Sequence, residues 1–279
     1  MPLYGPGASA DAHKEGKLTH AQSPLERAAL GLPGFFGPVE AVWSLPSTML
    51  RAAELADQGA GEGATVLAEH QSAGRGRLGR SWVAPPGSSL MLSVVLRPAL
   101  APARAWLVVA AAGVALAEAA GALVGGAQVA LKWPNDLLVD GRKAAGLLAE
   151  ARGGAVLLGM GVNVSQTAED FPAELRERVI SLSLAAGRPV ERSALLAGWG
   201  HAFAARYVSL ATDAAGVLDA WRARLATLGS QVRVERVGAE PVSGRAVDVG
   251  PGGELLVRQA DGTEVLVAAG DVEHLRGGG

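Results

Sequence analysis

The chain has 279 residues, 49% apolar and 19% charged, which suits a soluble globular protein with one large core and a small second domain. Its 25 Lys and Arg against 27 Asp and Glu leave a net charge of −2, which argues against bulk electrostatic binding of nucleic acid. With no cysteine, disulfides, thiolate metal sites and a cysteine nucleophile are excluded. The histidines (His13, His20, His70, His201 and His274) are scattered without the spacing of a helix-borne metal site, so no permanent metal site is expected.

Residues 1–38 are rich in Gly, Pro and Ala, with one short helical stretch near Leu25–Leu30, and read as a poorly ordered tail. The segment lacks the basic face of a DNA-reading helix-turn-helix domain and the charged-then-apolar pattern of a secretory leader. An alternating helix and strand pattern begins at Val39. Ser47 and Thr48 precede a helically spaced run over 49–58, where a hydroxyl can cap the helix. A short strand over Ala64–Glu69 leads into Gly74-Arg75-Gly76-Arg77-Leu78-Gly79-Arg80-Ser81-Trp82. Interleaved glycine and arginine make this a loop, close-approaching and cationic, built to grip an anion. Read alone, it could also be a solvated turn or an RNA-contacting patch with Trp82 as a stacking platform, though a neutral chain without a second basic run points away from RNA.

Ser89–Leu96 reads as a buried strand. Trp106–Val124 has the length of a membrane span, but it carries Glu118 and is mostly Ala and Gly, so a helix buried in a soluble core is expected. After a strand over Gln128–Lys132 comes Lys132-Trp133-Pro134-Asn135-Asp136, then Leu137–Val139, Asp140-Gly141 and a strand from Arg142 to Glu150. Asp-Gly between apolar runs predicts a two-residue type I′ hairpin. In that register Val139 faces Arg142, Leu138 faces Lys143 and Asp136 faces Ala145, which brings Asp136 and Lys143 to diagonal positions on one face. The two form either a surface salt bridge or part of a site. Gly153-Gly154 leads into a strand over Ala155–Met160, and Gly159-Met160-Gly161-Val162-Asn163 contains either a bulge or a close backbone approach to a ligand. Two helices follow over about 192–228. From Gly229 short alternating strands predict a small SH3-like barrel over 229–276.

These motifs, in this order, resemble the biotin protein ligase family. The matching residues are Ser47-Thr48, Gln71 with residues 74–82, residues 132–136, Lys143 with Ala145-Gly146, and residues 159–164. The resemblance covers about 39–276 and implies an α+β fold: a mixed, mostly antiparallel sheet packed with helices, as in class II synthetase-like catalytic domains, over 39–228. It implies that ATP with Mg²⁺ activates biotin as biotinyl-5′-AMP, and that a lysine of a biotin carboxyl carrier protein then receives the acyl group. Carried over, Ser47, Thr48, Gln71, Arg75, Gly76, Arg77, Lys143 and Gly146 bind biotin. Arg77, Trp82, Lys132, Asn135 and Asn163 lie on the nucleotide side, Arg77, Lys143 and Asp136 act in catalysis, and Arg80 only anchors the loop. One position departs from the family, Met49 standing where Asn is usual. The expected setting is cytoplasmic, without DNA or membrane, as a monomer or an edge-strand homodimer. Alternatives are a lipoate or octanoate ligase of the same fold, or a nucleic-acid-binding module.

Overall fold

The structure, a computed structural model, describes residues 24–275. Helix α1 (Pro24–Ala29) leads to β1 (Val39–Leu45), α2 (Thr48–Asp57) and β2 (Thr65–Gln71). Two short strands, β3 (Gly74–Arg75) and β4 (Ser81–Trp82), bracket the tip of the Arg/Gly loop. They are followed by β5 (Ser89–Leu96), α3 (Leu107–Leu123), β6 (Val129–Lys132), β7 (Asp136–Val139), β8 (Arg142–Arg152) and β9 (Ala155–Asn163). Helices α4 (Leu182–Ala186), α5 (Arg192–Ser209) and α6 (Ala214–Arg222) precede β10 (Gln231–Arg236), β11 (Ala239–Val249), β12 (Leu255–Arg258), β13 (Glu264–Val267) and β14 (Asp271–His274).

Seven strands form one sheet in the order β1-β2-β5-β9-β8-β7-β6. Only β1 and β2 run parallel; the other neighbours are antiparallel, as the α+β reading expects. Alternation splits the side chains between two layers. Leu67, Leu92, Val94 and Leu158 face the main core under α3 and α5, while Val66, Val95 and Leu157 face α2. Every residue of β5 is buried, because both faces of this central strand are covered. Helix α3, the segment long and apolar enough to suggest a membrane span, packs instead against α5, α6 and the sheet. Small residues permit the close helix contact, with Gly198 of α5 against Ala119.

The stretch 24–38 corrects the expected tail. Leu25 and Phe36 are buried in the core, and Phe36 packs against Trp199 with ring centroids 5.6 Å apart. The Leu25 amide donates to Glu69 Oε1 at 3.3 Å, and Gly37 N–H donates to Gly63 O at 2.9 Å. A few large apolar residues embedded in glycine and proline are enough to dock the segment, and composition averages hide them. Residues 1–23 lie outside the described residues.

Strands β10–β14 form a separate five-stranded antiparallel sheet, ordered β13-β12-β11-β10-β14. Its β11–β12 turn inserts between two tryptophans of the larger unit. Trp133 Nε1 donates to Gly253 O at 2.8 Å and Trp106 Nε1 to Pro251 O at 3.2 Å. Gly253 has φ +86°, and a Cβ there would lie 2.7 Å from the Trp106 ring, so only glycine fits. On the other side of the junction His274 Nε2 lies 3.3 Å from Thr227 Oγ1, which accepts the Trp133 amide at 3.0 Å. Burial and the neighbouring Lys132 hold the His274 pKa below its ordinary 6.5. Below that pH the unfolded chain binds the proton more readily than the folded one, so this group's contribution falls as acid is added. The expected result is an unfolding midpoint that drops as pH falls below 6.5. His274→Gln should flatten the drop, and an equal slope in the variant would count against this origin.

Candidate active site

A cavity of about 240 Å³ opens at the edge of the large sheet, where the Arg/Gly loop, the β6–β8 strands, β9, the start of α2 and β14 meet. At its floor the Thr48 amide and hydroxyl both donate to Gln71 Oε1, at 2.7 and 3.1 Å, and Ser93 Oγ donates to Thr48 Oγ1 at 2.8 Å. Gln71 thereby takes over a free amide of the α2 N-terminus, and Ser47 makes no side-chain cap, contrary to the expected capping role. The Ser47 hydroxyl is buried and unpartnered. Such a group costs about 1–3 kcal/mol until something bonds it, and this one lines the cavity. Met49 brings no polar atom of that kind: its Sδ fills the space where a Cβ on Gly159 would lie 2.7 Å away.

The loop folds over this floor. Gly74 pairs with Trp82 and Arg75 with Ser81, Gly76 N–H donates to Arg80 O at 2.7 Å, and Leu78 and Gly79 turn the tip with φ of 56° and 73°. Each arginine has a different partner. Arg75 Nη2 is 3.2 Å from Glu150, Arg77 donates to Asn135 Oδ1 at 3.2 Å, and Arg80 pairs with Asp271. The Trp82 indole lies across Gly161 and Gly146; a Cβ on Gly161 would be 2.6 Å from the ring. Its Nε1–H is a second buried, unpartnered polar group at the same cavity.

The hairpin is as expected at its turn, with positive φ at Asp140 (48°) and Gly141 (73°), Val139 opposite Arg142 and Leu138 opposite Lys143. Beyond it the register shifts, so that Asp136 faces Gly146 and not Ala145. Beside the shift Lys143 bonds sideways, its N–H donating to Arg178 O at 2.8 Å and its C=O accepting from Ile180 N–H at 3.0 Å. Lys143 Nζ still reaches Asp136 Oδ1 at 2.7 Å, above Gly146. Arg77 and Lys132 converge on the same space, and burial lowers the pKa of both, the nearby Asp136 and Asp271 opposing that shift.

Ser47, Thr48, Gln71, Arg75, Gly76, Arg77, Trp82, Lys132, Asn135, Asp136, Lys143 and Gly146 therefore share one cavity. Asn163 does not belong with them. Its Nδ2 donates to Ile180 O at 3.4 Å and its Oδ1 accepts from Gln166 at 3.1 Å, so it ties down the segment after β9. The sequence reading also missed Asp271 and Val272, which complete the cavity from the C-terminal sheet. A second cavity of about 340 Å³ shares Arg77, Asn135 and Leu147 and runs along β8 to Trp106 and Trp221.

Residues 42–166 match the biotin/lipoate A/B protein ligase family, and residues 227–275 match the biotin protein ligase C-terminal domain. The chain is 38% identical to biotin–[acetyl-CoA-carboxylase] ligase of Mycobacterium tuberculosis, across 77% of this chain and 80% of that one. It is 37% identical to the same-named protein of Paracoccus denitrificans, across 80% and 95%. The fold superposes with TM-score 0.75 on biotin protein ligase from Aquifex aeolicus in complex with biotin and ATP, at 23% identity, across 86% of this chain and all of that one. The motifs, the two-part fold and these relatives agree: the chain belongs to the biotin protein ligase family.

Proposed function

We propose that this protein activates biotin with ATP and transfers it to a lysine of a biotin carboxyl carrier protein. The observation that carries the reading is the convergence of Arg77, Lys132 and Lys143 on a cavity whose floor holds an unpartnered buried hydroxyl. In the first step a carboxylate oxygen of biotin attacks the α-phosphorus of ATP, and the bond to pyrophosphate breaks. Two anions meet, and preorganised cations offset the repulsion where charge builds up. Lys143 suits the bridge between carboxylate and α-phosphate, Arg75 and Arg77 the loop side, and Lys132, Asn135 and Trp82 the nucleotide. Mg²⁺ would enter on the phosphates. Ser47, Thr48 and Gln71 supply polar partners for the ureido ring, and Trp82 and Lys143, which lie over the bare backbone of Gly146, must shift for the bicycle to pack there.

In the second step the carrier amine attacks the acyl carbon, the bond to AMP breaks, and the amine loses a proton. Asp136 is the carboxylate placed to accept it once Lys143 turns to the ligand. The net charge of −2 weighs against an RNA-binding patch. Pyrophosphate release with biotin and ATP, compared with lipoate and ATP, tests the acid: release with lipoate alone would reverse the assignment. Arg77→Gly removes the fork beside Asn135 and should let the adenylate escape, so that bystander lysines become labelled. Unchanged retention would show that the loop does not hold the intermediate.

A further inference from the structure

The cavity is closed by a strand from the far end of the chain. We infer that Asp271 is a positioning residue, which latches the Arg/Gly loop over the site by pairing with Arg80. The latch rests on the functional reading above for its purpose, though not for its geometry.

Arg75 and Arg77 hold the loop to the larger unit, at Glu150 and Asn135. Arg80 instead reaches across to Asp271, the first residue of β14. Asp271 is held in place for this. It pairs with Glu235 across the β10–β14 ladder, and the preceding Gly270 sits so close that a Cβ would lie 2.6 Å from Glu235 O. The cation Arg233 on β10 is itself taken by Glu235 at 2.6 Å, which leaves the Asp271 carboxylate to Arg80. The other end of β14 is tied through His274 and Thr227 to the amide of Trp133, a residue that also lines the cavity. The Asp271 carboxylate also steadies the charge on Arg77 and Lys132.

Both partners of the latch are about half exposed, so the pair is weak and screened by water. That weakness suits a cover that must open for substrates and product yet slow the loss of a bound adenylate. The backbone bond from Gly76 to Arg80 passes the restraint at Arg80 directly to the tip that carries Arg77.

Limited trypsin digestion of the ligand-free protein reads the latch without any catalysis, because the loop's own arginines are the cleavage sites. Asp271→Asn should raise cleavage after Arg77 by about 2- to 5-fold, the scale of one exposed ion pair. Asp271→Glu should keep cleavage near the parent rate, and the charge reversal Arg80→Asp with Asp271→Arg should restore it. Equal cleavage in the Asn variant, failure of the reversal, or a Glu variant that behaves like Asn would each overturn the proposal. With biotin and ATP, labelling of bystander lysines by escaped adenylate should rise in the Asn variant by a similar factor while pyrophosphate still forms. If the parent forms no pyrophosphate, the functional reading fails, and the trypsin comparison still judges the latch.

Discussion

Replacing Lys143 with alanine is expected to slow pyrophosphate release by roughly 30- to 900-fold, equivalent to about 2–4 kcal/mol of lost transition-state stabilisation. The ammonium lies 2.7 Å from Asp136 in the free protein and, through its length, commands the space above Gly146. In the reaction its charge counts most when the carboxylate and the α-phosphate approach, so the loss should fall on the chemical step more than on ground-state binding. The fold should survive, because the backbone bonds of Lys143 to Arg178 and Ile180 do not depend on the side chain. Single-turnover release of pyrophosphate measures the effect. A variant within about threefold of the parent would remove Lys143 from the chemistry, since that is under 1 kcal/mol.

The largest expected loss of stability comes from a residue without a place in the reaction. Glu69 has a side-chain exposure of 1%, and Arg192 Nη1 meets its Oε2 at 2.6 Å while also donating to Ser89 O. Its other oxygen accepts the Leu25 amide. Arg192→Ala would leave a buried carboxylate without its cation, at a cost of about 3–5 kcal/mol. Adding Glu69→Gln should recover part of that loss, because the unpaired charge is then gone. By contrast, breaking the Arg152–Asp57 pair, half exposed on both sides, should cost no more than about 1 kcal/mol. Urea unfolding of the variants decides the matter: equal effects of Arg192→Ala and Arg152→Ala would show that burial does not amplify the first pair.

Local chemistry made much of this protein readable in advance. Ser89–Leu96 is a strand from first residue to last as expected, since eight consecutive residues suited to burial leave few alternatives. Asp140-Gly141 forms the tight turn because both positions need positive φ, and the turn alone delivers Lys143 to the Asp136 side of the hairpin. Each loop arginine has its own partner in the fold, Arg80 pairing with Asp271 while Arg77, partly buried, lines the cavity. Motif order placed twelve of the thirteen expected site residues around one cavity, all but Asn163.

Other features depend on contacts between parts of the chain that no local pattern links. The register shift at Leu137 and Leu138 sits next to Lys143, whose backbone bonds residues 178–180, some 35 positions later. Asn163 looked like a ligand contact, yet it serves Ile180 and Gln166, because the segment after β9 folds back over it. Ser47 has the sequence of a cap and loses that role to Gln71, whose side chain arrives from another strand. The segment 24–38 looked too rich in glycine and proline to order, but Leu25 and Phe36 found an aromatic core supplied by α5. Sequence thus settled the elements, the turn and the family of the site, since these follow from backbone preference and residue chemistry over short spans. Which side chains stay unpartnered, which arginine meets Asp271, and how β14 closes the cavity were set by packing, where distant segments compete for the same donors and acceptors.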